Sequence, residues 1–391
     1  IDDLYSWETR AQHHRETDEK LDKLISRIRA QPGFQNFLLP PTTDELMAAA
    51  SLGPLIVINL SPYRCDAFLI ETNQIQVLEL PDLTLEGAQE RAQKLRSGPQ
   101  AATYHAAPLL EWLWDVVARP VLDALGFDGP IVDGNWPRVW WVPTGVLSQL
   151  PLHAAGYHTR GGHETVIDRV MSSYASSVKA LIHGRRFDVQ RSVGTLPGNA
   201  LLVGMRETPD IFANHALQFA MDEIEMLQNL CPLLGLRPIR PKPRKDDVLK
   251  HLQGCRIFHF AGHGLSDPDE PSHSCLLLED WKTSPLTVGH LREHRVQDTL
   301  PFLGFLSACS TGVNKVDRLV DEGIHLVSAF QLAGFRHVVG TLWEVSDQHC
   351  VDVARMLYET MRDEGMTDVA VCRGLHRAIR ALRDGGVGAG L

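Results

Sequence analysis

The spacing of apolar positions changes along the chain and divides it into three stretches. In residues 1–50, Leu21, Leu24, Ile25 and Ile28 fall at i, i+3, i+4 and i+7. That spacing predicts a helix with one packing face, ended by Pro32 and Gly33. The runs LIVINL (55–60), AFLIE (67–71) and IQVLEL (75–80) then predict strands, with TNQ (72–74) as a hairpin turn. A polar helix is predicted over 85–97. A second, over 104–125, carries Leu109, Leu110, Leu113, Val116, Val117 and Leu125 at helical spacing, with Pro108 in its first turn and Pro120 at a kink or restart. The Gly-, Pro- and Asp-rich segment DGPIVDGNWP (128–137) predicts a boundary. Beyond it, VWWVP (139–143), ALLVGM (200–205), RIFHF (256–260), PFLGFLSA (301–308) and HVVGTLW (337–343) alternate with helical patterns at 175–183, 215–230, 245–253, 321–333, 347–363 and 367–383. Short β-rich runs alternating with amphipathic helices predict an α/β fold, a mostly parallel sheet covered on both faces. The expected organisation is a helical segment 1–50, a second unit 51–135 and a third unit 136–391.

Composition narrows the function classes. The 391 residues are 44% apolar and 22% charged, enough to build a core without disulfide staples. The net charge of −10 argues against nucleic acid as a direct partner. The seven cysteines are far apart and form no CxxC, which points to reduced thiols and a cytoplasmic address rather than a zinc ribbon or a secreted framework. The longest uncharged stretch, between Arg138 and Arg160, is interrupted by Pro143, Ser148, Gln149 and Pro151, so no membrane partner is expected. The chain begins at Ile1, which predicts a piece of a longer protein with a sensing or recruiting segment upstream.

Two of the apolar runs end in reactive side chains flanked by glycine. RIFHF leads into Ala261-Gly262-His263-Gly264, and PFLGFLSA leads into Cys309-Ser310-Thr311-Gly312. In open α/β sheets ligands gather beyond the carboxyl ends of the strands. If these two strands are parallel neighbours, His263 and Cys309 emerge side by side. A thiolate activated by an imidazole is the minimum for nucleophilic thiol catalysis. The backbone N–H groups of Gly264 and Cys309 are the expected oxyanion donors. Either residue alone reads as structural, because a single Cys at a strand end is usually a small buried hydrophobe. His259 and His263 are four apart, but the strand and the glycines at 262 and 264 exclude a helical metal pair, so no metal and no cofactor is expected. His259 is expected to point into the core or under the site. The acidic turn DPDE (267–270) could attract a basic substrate or simply be solvated, and residues 265–300 and 310–322 read as mobile binding loops.

The blocks FHFAGHG (258–264), FLSACSTG (305–312) and GFRHVVGTLWEVSD (334–347), in this order, resemble the CHAT domain. VWWVPTGVLSQLPLHAAGY (139–157) and VIDRVMSSYASSVKAL (166–181) fit the same family, and the resemblance covers roughly 136–383. CHAT proteins are caspase-like cysteine peptidases related to separase and often fused to tetratricopeptide repeats. The resemblance implies a caspase-like three-layer sandwich. It makes His263 the general base or acid and Cys309 the nucleophile, and it casts 51–135 as a degenerate, non-catalytic caspase-like half. By analogy with separase-like relatives, Asp347, with Glu344 as competitor, would pair with a basic P1 side chain. Asp347 also reads as the cap of the helix that follows it, and the two roles are compatible. The implied setting is defence or regulated cell death, with a protein partner as substrate, gasdermin-like pore formers being one class. Two other readings compete: a catalytically idle interaction scaffold, and a small-molecule hydrolase or acyltransferase using the same dyad.

Overall fold

The computed structural model describes residues 7–96, 99–131, 134–159, 163–186, 198–211, 216–265, 267, 270–293, 301–308, 326–343 and 345–385. The chain forms two compact units, residues 1–46 and 47–391. The first holds α1 (Trp7–Arg29), with Leu21 and Leu24 of the predicted stripe about half exposed. The helix α2, Thr43–Ala49, runs across the division between the two units.

Two five-stranded sheets organise the second unit. In the first, β1 (Leu55–Asn59), β2 (Asp66–Ile70) and β3 (Ile75–Glu79) form an antiparallel meander. The helices α3 (Leu85–Arg96), α4 (Pro99–Leu113) and α5 (Arg119–Ala124) follow. Then β4 (Arg138–Pro143) joins β1 in parallel, and α6 (Val166–Arg169) leads to β5 (Met171–Tyr174), parallel to β4. The sheet order is β3-β2-β1-β4-β5. Strand 138–143 thus lies across the expected boundary at 135/136, in the sheet that begins at residue 55. Its Val139 and Trp141 share one core with Leu113, Trp114 and Val117, and a boundary read from composition carries no information about which sheet a strand joins. Helix α4 also starts earlier than expected. Pro108 is inside it rather than in its first turn, because the alanine-rich stretch before it propagates the helix. A π-helical turn (Trp114–Ala118) separates it from α5, where Pro120 marks the restart.

After α7 (Val178–Arg186) the second sheet is built from β6 (Asn199–Gly204), α8 (Ala220–Leu230), β7 (Arg237–Ile239), α9 (Lys245–Leu252) and β8 (Cys255–Ala261). It is completed by β12 (Leu303–Ser307), α11 (Leu326–Leu332), β13 (His337–Val339), α12 (Asp347–Glu364) and α13 (Asp368–Asp384). The order is β13-β12-β8-β6-β7, with all pairs parallel. Alternate residues face opposite cores. Ala200, Leu202, Ile257, Leu303 and Phe305 pack against α8 and α12. Leu201, Val203, Phe258, Phe260 and Leu306 pack against α9 and α11. Helices on both faces make this half the expected three-layer α/β sandwich.

The segment 265–300, expected as a mobile loop, instead contains β9 (Gly264–Leu265), β10 (Cys275–Leu276), β11 (Leu286–Thr287) and α10 (Val288–Glu293). Leu276, Leu278, Leu286, Val288 and Leu291 are buried in the main core, at spacings too short to show a period. The expected loop 310–322 lies outside the described residues.

The last helix ties the two sheets together. Asp168, 1% exposed in α6, accepts from Arg380 and Arg383 of α13, and these guanidiniums hold its carboxyl down at about 2 against the opposing effect of burial. Among the described residues no helix is long and apolar enough to cross a membrane.

Candidate active site

The strands β8 and β12 are parallel neighbours, paired residue by residue from Ile257↔Leu303 to Ala261↔Ser307. His263 stands two residues beyond Ala261. Cys309 is two residues beyond Ser307 in sequence and lies outside the described residues, as does Glu344. The carboxyl edge is held by backbone bonds across three strands. Met205 N–H donates to the Ala261 carbonyl at 2.8 Å, and Gly262 N–H donates to the Ser307 carbonyl at 3.1 Å. The turn requires glycine at 262, because a Cβ there would sit 2.6 Å from Phe260 Cζ and 3.2 Å from Met205 Cβ. The Ala308 carbonyl, immediately before Cys309, accepts the Thr341 hydroxyl at 2.7 Å.

The small sheet fixes the other side of the turn. Leu277 N–H donates to the His263 carbonyl at 2.9 Å, and Gly264 lies opposite Leu276. In an antiparallel ladder this makes Gly264↔Leu276 a non-hydrogen-bonded pair, so the Gly264 N–H points away from β10. His263 is half-buried. Beyond the carboxyl end of β6, on the strand next to β8, opens a cavity of about 790 Å³ lined by Arg206, Glu207, Thr208, Asp210 and Glu279 among others.

Beneath the edge lies a buried polar network. His259 is fully buried, and Glu223 of α8 is 1% exposed. His259 Nε2 donates to Glu223 Oε1 at 2.9 Å, and its Nδ1 accepts from the Tyr358 hydroxyl at 3.1 Å. Ser307 Oγ donates to Glu223 Oε2 at 3.1 Å. His259 is therefore a core residue, as strand alternation predicts. Glu223 had no expected role. The readable signal was its place on the apolar face of a helix, beside Ala220, Ile224 and Leu227, where an acid needs a buried partner.

Asp347 is the first residue of α12. Its Oδ1 accepts the Gln348 N–H and its Oδ2 accepts the Phe219 N–H, both at 3.1 Å, so one carboxylate serves the amino ends of α12 and α8. Asp347 was expected to cap a helix starting at residue 348; it is instead the first residue of that helix, behind Ser346 at the cap position, although its carboxylate still takes these N–H groups. In the acidic turn, Asp267 Oδ1 accepts the Glu270 N–H at 2.8 Å, the arrangement of a self-closed turn.

The CHAT domain family model matches residues 107–385, well over half of the chain, taking in β4 and β5 of the first sheet and all of the second. The chain belongs to the CHAT family. CHAT domains form a family of caspase-like cysteine peptidases, and in this member the match includes the His263 and Cys309 blocks. No curated protein matches. Among solved structures, the complex of the pro- and mature domains of RgpB from Porphyromonas gingivalis aligns with a TM-score of 0.46 at 13% identity, covering 74% of this chain and 75% of that one.

Proposed function

We propose that this CHAT protein is a cysteine endopeptidase in which Cys309 is the nucleophile and His263 its base and acid. The observation that supports it most is the β8–β12 register. It sets two strand ends level at the carboxyl edge of a parallel sheet, and His263 and Cys309 follow those ends by the same two residues. In this reading His263 takes the thiol proton and the thiolate adds to the scissile carbonyl. The oxyanion is met by the N–H of Cys309 and of Gly264, the latter left out of its ladder. His263 then passes the proton to the leaving amine, and water hydrolyses the acyl-enzyme. The dyad needs no metal. The substrate in this proposal is a protein in a defence or cell-death pathway, a gasdermin-like pore former being one class, and an upstream sensor or repeat segment acts as regulator. A cytoplasmic location fits the reduced cysteines.

The proposed P1 residue is basic, recognised by Asp347 or Glu344. Two backbone donors on Asp347 leave room for a cation, since a carboxylate offers about four acceptor sites. The test is a fluorogenic peptide library varied at P1, run with wild type, Cys309→Ala, Asp347→Asn and Glu344→Gln. Turnover by wild type alone, concentrated at Arg or Lys and lost selectively in one acid variant, is the expected result. Asp347→Asn keeps an acceptor for the helix ends, so a loss there reports charge rather than capping. Turnover retained by Cys309→Ala refutes the nucleophile. Wild-type turnover at another P1 refutes the pocket assignment. Absence of turnover, together with slow labelling of Cys309 by a thiol reagent, favours the interaction scaffold.

A further inference from the structure

A cavity of about 380 Å³ lies between the two sheets, away from the carboxyl edge that holds His263. Its walls are β4 and β5 on one side and β13 and α13 on the other, with Arg138, Trp140, Arg336, His337 and Cys372 among the lining residues. The charges around it do not balance. Asp368 is paired with the Arg336 guanidinium through both oxygens and also accepts from His337 Nε2 at 2.8 Å, which neutralises Arg336. Arg138 has no such partner. Its Nε donates to Ser173 Oγ at 3.0 Å and its guanidinium stacks on Trp140 at 4.1 Å, and no carboxylate forms an ion pair with it among the described residues. Arg185 approaches the same indole at 5.2 Å. Its Nη1 donates to the Ala49 carbonyl, while its Nη2 is buried without a partner. Burial pulls both guanidiniums down, Arg185 to about 10; neighbouring arginines add to this, and the Asp368 carboxylate, shared with Arg336, only partly opposes it. Burial keeps the nearby imidazoles of His153 and His376 neutral at pH 7, at about 4, so they add no charge of their own.

A half-buried cation short of counter-charge is costly, and replacing it by an apolar side chain of similar size is often stabilising. An anion that enters the cavity would supply the missing charge. The rest of the wall is mixed: Val339, Leu342 and Leu375 give it an apolar stretch, while Ser148, Ser172 and Ser176 add hydroxyls, and the volume matches that of small-molecule sites. We propose that this cavity is a binding site for a small organic anion, its phosphate or carboxylate head against Arg138 and its apolar body along Trp140 and the β13–α13 wall. The same wall runs on to Thr341, whose hydroxyl holds the Ala308 carbonyl. Occupancy is therefore one hydrogen bond from the residue that precedes Cys309, while binding itself does not depend on peptidase activity.

The test uses the whole chain with phenyl phosphate and, in parallel, inorganic phosphate and sulfate, followed by thermal unfolding and calorimetric titration. Phenyl phosphate should raise the Tm saturably, with half-saturation at least about tenfold below that of inorganic phosphate, since each factor of ten reflects the added apolar contact. Arg138→Met should abolish the saturable rise and, by removing the half-buried cation, raise the Tm of the ligand-free protein. Arg138→Lys keeps the cation but loses the planar fork, and should bind several-fold more weakly while folding normally. The proposal is overturned by any of three results. One is a wild-type Tm that responds only linearly and equally to phosphate and sulfate. Another is saturable binding that survives Arg138→Met, or, if that variant does not fold, is unchanged in Arg138→Lys. The third is equal half-saturation by the two phosphates.

Discussion

Replacing Glu223 by alanine isolates the network under the carboxyl edge of the second sheet. The carboxylate receives His259 Nε2 at 2.9 Å and Ser307 Oγ at 3.1 Å, and all three side chains are at most 7% exposed. Removing it orphans two buried donors at about 1–3 kcal/mol each. The two together put the loss at about 4 kcal/mol. At about 2 °C per kcal/mol, the figure for a large folding unit, the Tm should fall by about 8 °C. Glu223→Gln behaves differently. Its carbonyl can still accept from His259, and its amide can donate to Ser307 Oγ, so the loss should be only about 1–2 kcal/mol. Differential scanning calorimetry on the three proteins decides the matter. A Glu223→Ala protein within 2 °C of wild type, or a glutamine variant as damaged as the alanine one, would refute the reasoning that this carboxylate holds the ends of β8 and β12 together.

Cys309→Ala and His263→Ala should each abolish peptide cleavage with little change in Tm, as measured by fluorogenic assay and scanning fluorimetry. Thiol labelling followed by mass spectrometry should single out Cys309, because burial pushes Cys231 and Cys255 up to about 12 and Cys275 up to about 11. Uniform slow labelling would contradict a poised thiolate. Asp168 has a folded-state carboxyl lowered to about 2 from 3.8, so the stability it contributes is present above about pH 4 and lost as pH falls toward 2. A Tm–pH curve should show this loss, and Asp168→Asn should flatten it. Gly262→Ala should lower the Tm and weaken cleavage together, since its methyl would press on Phe260 and Met205 at the foot of the His263 turn.

The helices and strands were written plainly in the chain. Apolar residues at helical spacing marked α8, α9, α12 and α13, and unbroken β-rich runs marked β6, β8 and β12. These signals are local, because each depends only on which neighbours share a face. The proposal that His263 works with Cys309 also starts from the sequence, since glycine-flanked reactive residues at the ends of two apolar strands need only parallel adjacency to meet. That adjacency itself, and the level register of Ala261 with Ser307, belonged to the tertiary structure. So did the placement of β4, which the boundary-like composition before it assigned to the wrong sheet. A strand's partner is chosen by a core assembled from distant segments, here Leu113 and Trp114 with Val139 and Trp141. The network at Glu223 and the environment of Arg138 in the cavity between the sheets arise only when residues far apart along the chain are packed together and water is excluded. In sequence they are an ordinary acid and an ordinary base, and burial with a particular set of neighbours makes the one a tie and the other an anion site.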